Sequence, residues 1–98
     1  MKGHFGLTPR AQADLDEIWD YTADRWGLDQ AETYTRQLWK NIQAVAQRPS
    51  LGRECDEVRA GYRQYPSSSH VLFYRLTHAG IDIVRILHER MDYQRHIP

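Results

Sequence analysis

Apolar side chains recur at helical spacing near the start of the chain. One stripe runs through Ala11, Leu15, Ile18, Thr22 and Trp26, widened by Trp19 and Ala23. Before it, Thr8 can cap free backbone N–H groups. Pro9 lies at the first position of the helix, where its lack of a backbone N–H removes no helical hydrogen bond. After it, Gly27 suits the backbone conformation that ends a helix. The pattern therefore predicts a first helix between Thr8 and Gly27.

A second apolar stripe follows at once. It consists of Ala31, Tyr34, Leu38, Ile42 and Val45. Asp29, with Glu32 three residues on, predicts a capping-box start for this helix, which must stop before Pro49. The short connection at Gly27 then forces the two helices into an antiparallel hairpin.

Strand patterns occupy the rest of the chain. A short strand is predicted at residues 4–7, a polar loop at 49–57, and three further strands at 58–65, 70–76 and 81–88. Turn residues at 66–69 and 78–80 connect the last three strands as an antiparallel meander. The prediction is an α+β fold in the order β-α-α-β-β-β, with the helical hairpin on one face of a small, mostly antiparallel sheet. Residues 1–98 form one domain.

The later strands are apolar on both faces. In residues 70–76, Leu72, Tyr74 and Leu76 alternate with Val71 and Phe73. In residues 81–88, Ile81, Ile83 and Leu87 are expected to oppose Val84 and Ile86. Such strands are normally covered on both sides, yet one helical hairpin covers only one. An uncovered second face would be a larger apolar patch than monomers usually show. The end of the chain, a second copy or another protein could cover it.

Composition narrows the class of protein. No apolar run approaches the ~20 residues that span a bilayer, and residues 1–10 lack the hydrophobic stretch of a signal peptide. Cys55 is the single cysteine among 98 residues, so no internal disulfide is possible. These features favour a cytoplasmic protein in a reducing compartment.

Charge is unevenly distributed although it sums to zero. Residues 14–32 hold seven acids and one base, and the acids at the start of the first helix are expected on its solvated side. From Val58 onward there are six arginines and three acids. Arginine suits bidentate contacts with carboxylates or phosphates. The second half is therefore either a surface for an anionic partner or a solvated basic edge.

Five stretches, taken in order, resemble the ParE toxins of the RelE/ParE superfamily of bacterial type II toxin–antitoxin systems. They are "LTPRAQADLDEIWDYTADRWG", "RPSLGRECDEVRAGYR", "SSSHVLFYRL", "IDIVRILH" and "ERMDYQRHI". The resemblance implies a small toxin, not an enzyme and without cofactor, that is neutralised by a ParD-like antitoxin wrapped around it. It also implies DNA gyrase as the target. Operator DNA would be contacted only through the antitoxin.

The resemblance suggests two sets of contact residues. Apolar candidates for antitoxin binding are Leu15, Ile18, Trp19, Tyr34, Leu38, Leu72 and Tyr74. Arg59, Arg63 and Arg75 are candidates for salt bridges to an acidic antitoxin segment. Arg90, Met91, Arg95 and His96, which follow the last strand and could form a turn of helix, are candidates for target binding, since arginine and methionine are common at interfaces.

Other readings remain open. RelE-type relatives cut messenger RNA, and Arg63, Arg75, Arg85, His88 and Tyr93 could serve as their phosphate-binding and proton-transfer groups. The sheet half lacks lysine, which disfavours that reading. A metal site would need His70, His88 and His96 to converge, and no zinc-type spacing is present, so no metal is expected. The chain could also be an inactive relative that only tunes repression by its antitoxin.

Overall fold

The computed structural model of the protein describes residues 3–97. Its elements are β1 (His4–Leu7), α1 (Pro9–Trp26), α2 (Leu28–Gln47), a 3-10 turn (Pro49–Leu51), β2 (Arg53–Glu54), β3 (Tyr62–Ser67), β4 (His70–Leu76), β5 (Gly80–His88) and α3 (Tyr93–His96). The sheet order is β1-β5-β4-β3-β2. β1 lies parallel to β5, and all other neighbours are antiparallel. The predicted α+β fold is confirmed.

The helical hairpin forms largely as predicted. The Thr8 hydroxyl accepts the Ala11 N–H at 3.1 Å and donates to the Val84 carbonyl at 3.0 Å, so it caps α1 and ties it to β5. Gly27, at φ 96°, separates the helices. The predicted capping box is wrong, because α2 already begins at Leu28 without a side-chain cap. Asp29 instead lies in the first turn, where its charge favours the helix dipole.

The first strand of the meander is displaced from its predicted position. The N–H groups of Val58 and Arg59 both donate to the Cys55 carbonyl and hold that segment in a turn. β3 therefore starts at Tyr62 and includes Pro66. β2 pairs only with Arg63 and Gln64, so β3 has an open edge beyond them, where proline is tolerated. β2 itself lies in the predicted loop.

Each face of the sheet has its own core. Between sheet and helices lie Leu15, Ile18, Leu38, Ile42, Leu72, Tyr74, Ile81, Ile83 and Ile86, among others. On the opposite face, Phe73 and Leu87 are covered by the turn around Cys55 and by the C-terminal segment (residues 89–97). There the Tyr93 ring meets the Phe73 ring edge-on at 4.8 Å, and Ile97 is buried. The chain thus covers its own second face, so this face gives no argument for a partner.

A β-bulge rearranges the faces of β5. Phe73 pairs with Arg85 and Tyr74 with Ile83, which leaves Val84 as an extra residue. Ile86 therefore joins the helix-side core, and Leu87 joins the opposite one. The predicted grouping of Leu87 with Ile81 and Ile83 is wrong, because strict alternation breaks at the bulge.

Candidate protein-binding groove

Two adjoining clefts form one groove at the end of the molecule where β5 finishes. The clefts have volumes of about 510 and 360 Å³ and share Tyr21, Thr22, His70 and His88. The first continues to Trp26, Gln30, Tyr34 and Ser69. The second follows α1 back towards Asp14 and reaches Met91. We call the whole the α1 groove.

The groove exists because α1 extends past the sheet. Thr22 lies beside the ends of β4 and β5, so the final turn of the helix has no strand beneath it. Its large side chains stay outside the core: Tyr21 is 61% exposed, Trp26 66% and, at the start of α2, Leu28 69%. The Arg25 guanidinium lies 5.6 and 5.9 Å from the centres of the Tyr21 and Trp26 rings. Exposed aromatic clusters of this kind are typical of protein-binding surfaces.

The floor of the groove carries a pair of histidines. Tyr34 Oη lies 2.6 Å from His70 Nδ1 and accepts the Ser69 N–H at 3.2 Å. The centre of the His88 ring lies 5.3 Å from the centre of the His70 ring, and the two rings are nearly perpendicular. His88 Nδ1 accepts the Arg90 N–H at 3.1 Å. Burial, together with the neighbouring His88, lowers the pKa of His70 to about 4. His70 is therefore neutral near physiological pH.

A buried ion pair forms the inner wall. Arg85 donates through Nε to Asp14 Oδ2 at 2.8 Å and through Nη2 to Asp14 Oδ1 at 3.0 Å. Asp14 Oδ2 also accepts the Ile86 N–H at 2.9 Å, a group on the edge of β5 beyond the end of β1. Arg85 Nη1 donates to the His96 carbonyl at 2.7 Å. The hydrogen bond to Asp14 is the main reason that the pKa of Arg85 is raised. One guanidinium thus joins α1, β5 and the C-terminal segment.

Asp14 is an exception to the expectation that the acids at the start of α1 lie mostly on its solvated side. Its side chain is only 11% exposed. The sequence did contain the signal: Asp14 follows Ala11 by three residues and precedes Ile18 by four, which places it within the apolar stripe. An acid at such a position requires a partner, here Arg85.

Most apolar residues predicted to bind an antitoxin belong to the chain's own core. These are Leu15, Ile18, Leu38, Leu72 and Tyr74. The structure packs them between the hairpin and the sheet, and of these five only Ile18 reaches the groove wall. Trp19 is half-buried, and Tyr34 lines the groove.

The three arginines expected to bind an acidic antitoxin segment lie away from the groove. Arg59 is exposed on the turn before β3. Arg63 donates to the Gly52 carbonyl and lies 3.4 Å from a Glu54 oxygen. Arg75 lies 3.3 Å from Asp82. Two of the three therefore already have partners within the chain.

The residues predicted to bind the target all lie on the C-terminal segment. Arg90 and Arg95 are exposed, His96 is half-buried, and Met91 is 36% exposed where it lines the groove. The segment thus presents two exposed arginines, and Met91 connects it to the groove.

The structure does not assemble the residues considered for RNA cleavage. Arg85 is held by Asp14, while Arg63 lies at the other side of the sheet beside β2. The Tyr93 hydroxyl donates to the Glu89 carbonyl. His70 and His88 adjoin, but no group of three or more metal-binding side chains occurs within residues 3–97. Over the same residues, no helix is long and apolar enough to cross a membrane.

Comparisons with known proteins agree with the sequence resemblance. The family described as "ParE toxin of type II toxin-antitoxin system, parDE" matches residues 6–93. Toxin ParE1 of Mycobacterium tuberculosis (strain H37Rv) is 54% identical over 98 residues, covering 99% of this chain and 100% of that protein. Toxin ParE1 of Caulobacter vibrioides is 43% identical over 93 residues, covering 95% and 96%.

A solved structure shares the fold. It is described as the chromosomal ParDE TA system from P. aeruginosa and superimposes with a TM-score of 0.78 over 89% of this chain and 96% of that chain. Because the two sequences are 21% identical, this likeness bears on the fold alone.

Proposed function

The chain belongs to the ParE toxin family of type II toxin–antitoxin systems, and from that premise we propose that it inhibits DNA gyrase by binding in the cytoplasm. A cognate ParD-like antitoxin neutralises it by occupying the α1 groove. The toxin acts without chemistry on its target.

The observation that carries the antitoxin proposal is the aromatic end of the α1 groove. Tyr21 and Trp26 are large and exposed in the groove, Leu28 is exposed just across the Gly27 junction, and the concave surface continues from Trp26 to Tyr34. An amphipathic helix can insert its apolar face into such a groove. A segment that folds on binding covers much surface and can be removed by proteolysis, as a reversible antitoxin requires.

Inhibition by binding is supported by the arrangement of the arginines. Arg85, the most buried of them, is neutralised by Asp14 and is not available to stabilise charge on a phosphate. Arg90 and Arg95 are exposed, and Arg90 precedes Met91 directly in sequence. This surface suits contact with a protein or a protein–DNA complex, which fits gyrase as the family resemblance implies.

A supercoiling assay tests the proposal. Purified chain should inhibit gyrase, and its antitoxin should restore activity. Arg95→Glu should weaken inhibition yet still bind antitoxin, whereas Arg59→Glu, which reverses an exposed arginine elsewhere, should inhibit normally. Cleaved transcripts with unaffected gyrase would favour the ribonuclease. Altered repression without toxicity would favour the inactive relative.

A further inference from the structure

We propose that His70 and His88 together form a carboxylate-binding site that receives one Asp or Glu side chain of the antitoxin, so that the complex tightens as pH falls. This inference rests on the proposed occupation of the α1 groove. It adds the chemistry of one contact and a dependence on protons.

The two histidines are held together by the sheet. His70 opens β4, His88 closes β5, and the two are direct cross-strand partners. The Glu89 N–H donates to the Ser69 carbonyl just beyond the two histidines. The backbone hydrogen bonds of the ladder therefore lie on either side of the His70–His88 pair, which is itself a non-hydrogen-bonded pair. Side chains in such a non-hydrogen-bonded pair approach closely. The ring centres are accordingly 5.3 Å apart, and both rings line both clefts of the groove.

Hydrogen bonds favour one position for the proton on each ring. His88 Nδ1 faces the Arg90 N–H, which can only donate, so the proton of the neutral ring must be on Nε2. The Tyr34 oxygen accepts the Ser69 N–H, and its own hydrogen can be donated to His70 Nδ1. In that arrangement His70 also carries its proton on Nε2. Within residues 3–97, neither Nε2 hydrogen has a protein acceptor.

Two neighbouring N–H donors can both donate to one anionic or carbonyl oxygen that enters the groove. A metal ion would need the Nε2 lone pairs, and for His88 this would set an Nδ1 hydrogen against the Arg90 N–H. The nearby Asp14 is already bound to Arg85 and Ile86. A carboxylate from the antitoxin can accept from both rings and gains charge-assisted bonds when either becomes protonated.

The surroundings set the direction of the pH effect. The ionisable groups facing the pair are Glu17 and Tyr21 on α1, Tyr34 on α2, Glu89 and Arg90 after β5, and the Asp14–Arg85 pair. In the free chain, burial and mutual proximity keep His70 neutral. A bound carboxylate favours the imidazolium form and raises the pKa of His70. Binding then takes up a proton, so affinity rises as pH falls through the pKa of the bound state.

The first test measures the dissociation constant by calorimetry for the ParD-like antitoxin of the same operon, at pH 8 and pH 6. The complex should be tighter at pH 6, by up to about a hundredfold if one full proton is taken up across the two pH units. His70→Gln and His88→Gln keep a neutral N–H donor near the Nε2 position but cannot become charged, so each should weaken the pH dependence. His78→Gln, in the β4–β5 turn at the far end of these strands, should leave it unchanged.

The second test observes the rings directly. Two-bond ¹H–¹⁵N spectra of the free chain should show the neutral Nε2–H form of His70, and the complex at pH 6 should show its imidazolium form. This readout does not depend on the glutamine variants folding well. Affinity equal at pH 8 and pH 6, or neutral rings in the complex, would overturn the inference while leaving the proposed function standing. Absence of antitoxin binding at every pH would overturn both.

Discussion

Arg85, on β5, holds two other segments of the chain to its strand. Its guanidinium contacts a side chain of α1 and a carbonyl of the C-terminal segment, at sequence separations of 71 and 11 residues. A charge so deeply buried is tolerated only with a partner and satisfied hydrogen bonds. Asp14 is this partner, and it also accepts the hydrogen bond of the Ile86 N–H on the edge of β5.

Replacing Asp14→Asn should therefore destabilise the fold strongly. Loss of the carboxylate charge leaves Arg85 buried without its counter-ion, which typically costs about 3 kcal/mol or more. Urea unfolding of the two proteins measures the difference. Glu17→Gln, on the exposed side of the same helix, should change stability by less than about 0.5 kcal/mol. Equal effects of the two substitutions would contradict the role given to Asp14.

Cys55 should be nearly unreactive in the folded chain. Burial, chiefly, and the charge of Glu57 raise the pKa of Cys55 from 9.0 to about 11. Only about one thiol in a thousand is then ionised at pH 8, so alkylation should be slow and accelerate about tenfold per pH unit up to pH 10. Iodoacetamide labelling followed by mass spectrometry measures this rate.

The same raised pKa predicts the sign of the effect on stability. The contribution of the neutral thiol is complete below pH 9 and is lost as pH rises from 9 towards 11, because the unfolded chain releases its proton first. In urea, Cys55 should react at the rate of an ordinary thiol. A native rate at pH 8 equal to that in urea would show that the thiol is accessible.

At the scale of elements, α3 is too short to be stable by itself. It has four residues, and nucleating so short a helix is unfavourable. Its anchors are the Tyr93 ring on Phe73, buried Ile97 and the Arg85 bond to the His96 carbonyl. The C-terminal segment is thus fixed by packing at its ends and not by helix propensity.

Ile97→Ala should release this segment. Removing a buried branched side chain costs about 2–4 kcal/mol and uncovers part of the second apolar face, so binding of a hydrophobic dye should rise. Thermal unfolding and dye fluorescence measure the two effects. Gln94→Ala, which removes an exposed side-chain bond to the Glu57 carbonyl, should leave both almost unchanged. A dye signal unaffected by Ile97→Ala would contradict the conclusion that the C-terminal segment covers the second face of the sheet.

The elements that the sequence predicted well are those determined locally. Thr8 and Pro9 begin α1 as expected, and β1 and β4 have their predicted bounds. The errors in the predicted strands arise where contacts between residues distant in sequence determine the structure. The turn at Cys55 that delays β3 is closed by hydrogen bonds with no periodic signal, and the bulge that reverses Ile86 and Leu87 depends on pairing with β4.

The groove illustrates the same limit. Trp26 completes the apolar stripe of α1, so its sequence position predicts burial, yet the strands end before it. The pairing of His70 with His88 also required the bulge, since an unbroken hairpin that pairs Leu76 with Ile81 aligns His70 with Leu87 instead. The histidines were visible in the sequence, but their contact was not.

At the scale of the whole molecule, the apolar residues that form the two cores are different from the apolar residues that remain exposed at the groove. Both sheet faces are covered, whereas Trp26 stays exposed at the groove. Trp26→Ala should therefore leave the free energy of unfolding within about 0.5 kcal/mol while raising the dissociation constant for the antitoxin about tenfold or more. Leu76→Ala, at another exposed apolar site, should change neither. Unaltered antitoxin affinity would remove Trp26 from the interface.

The parallel pairing of β1 with β5 has a consequence for folding during synthesis on the ribosome. His4 finds its partner Gly80 only after 76 further residues have been synthesised, which takes about 4–15 s at ordinary translation rates. A ribosome that stalls before residues 80–83 carries a helical hairpin without a sheet edge to dock on. Such an abortive product lacks His88 and the C-terminal segment alike, so the α1 groove forms only after residues 88–97 have been synthesised.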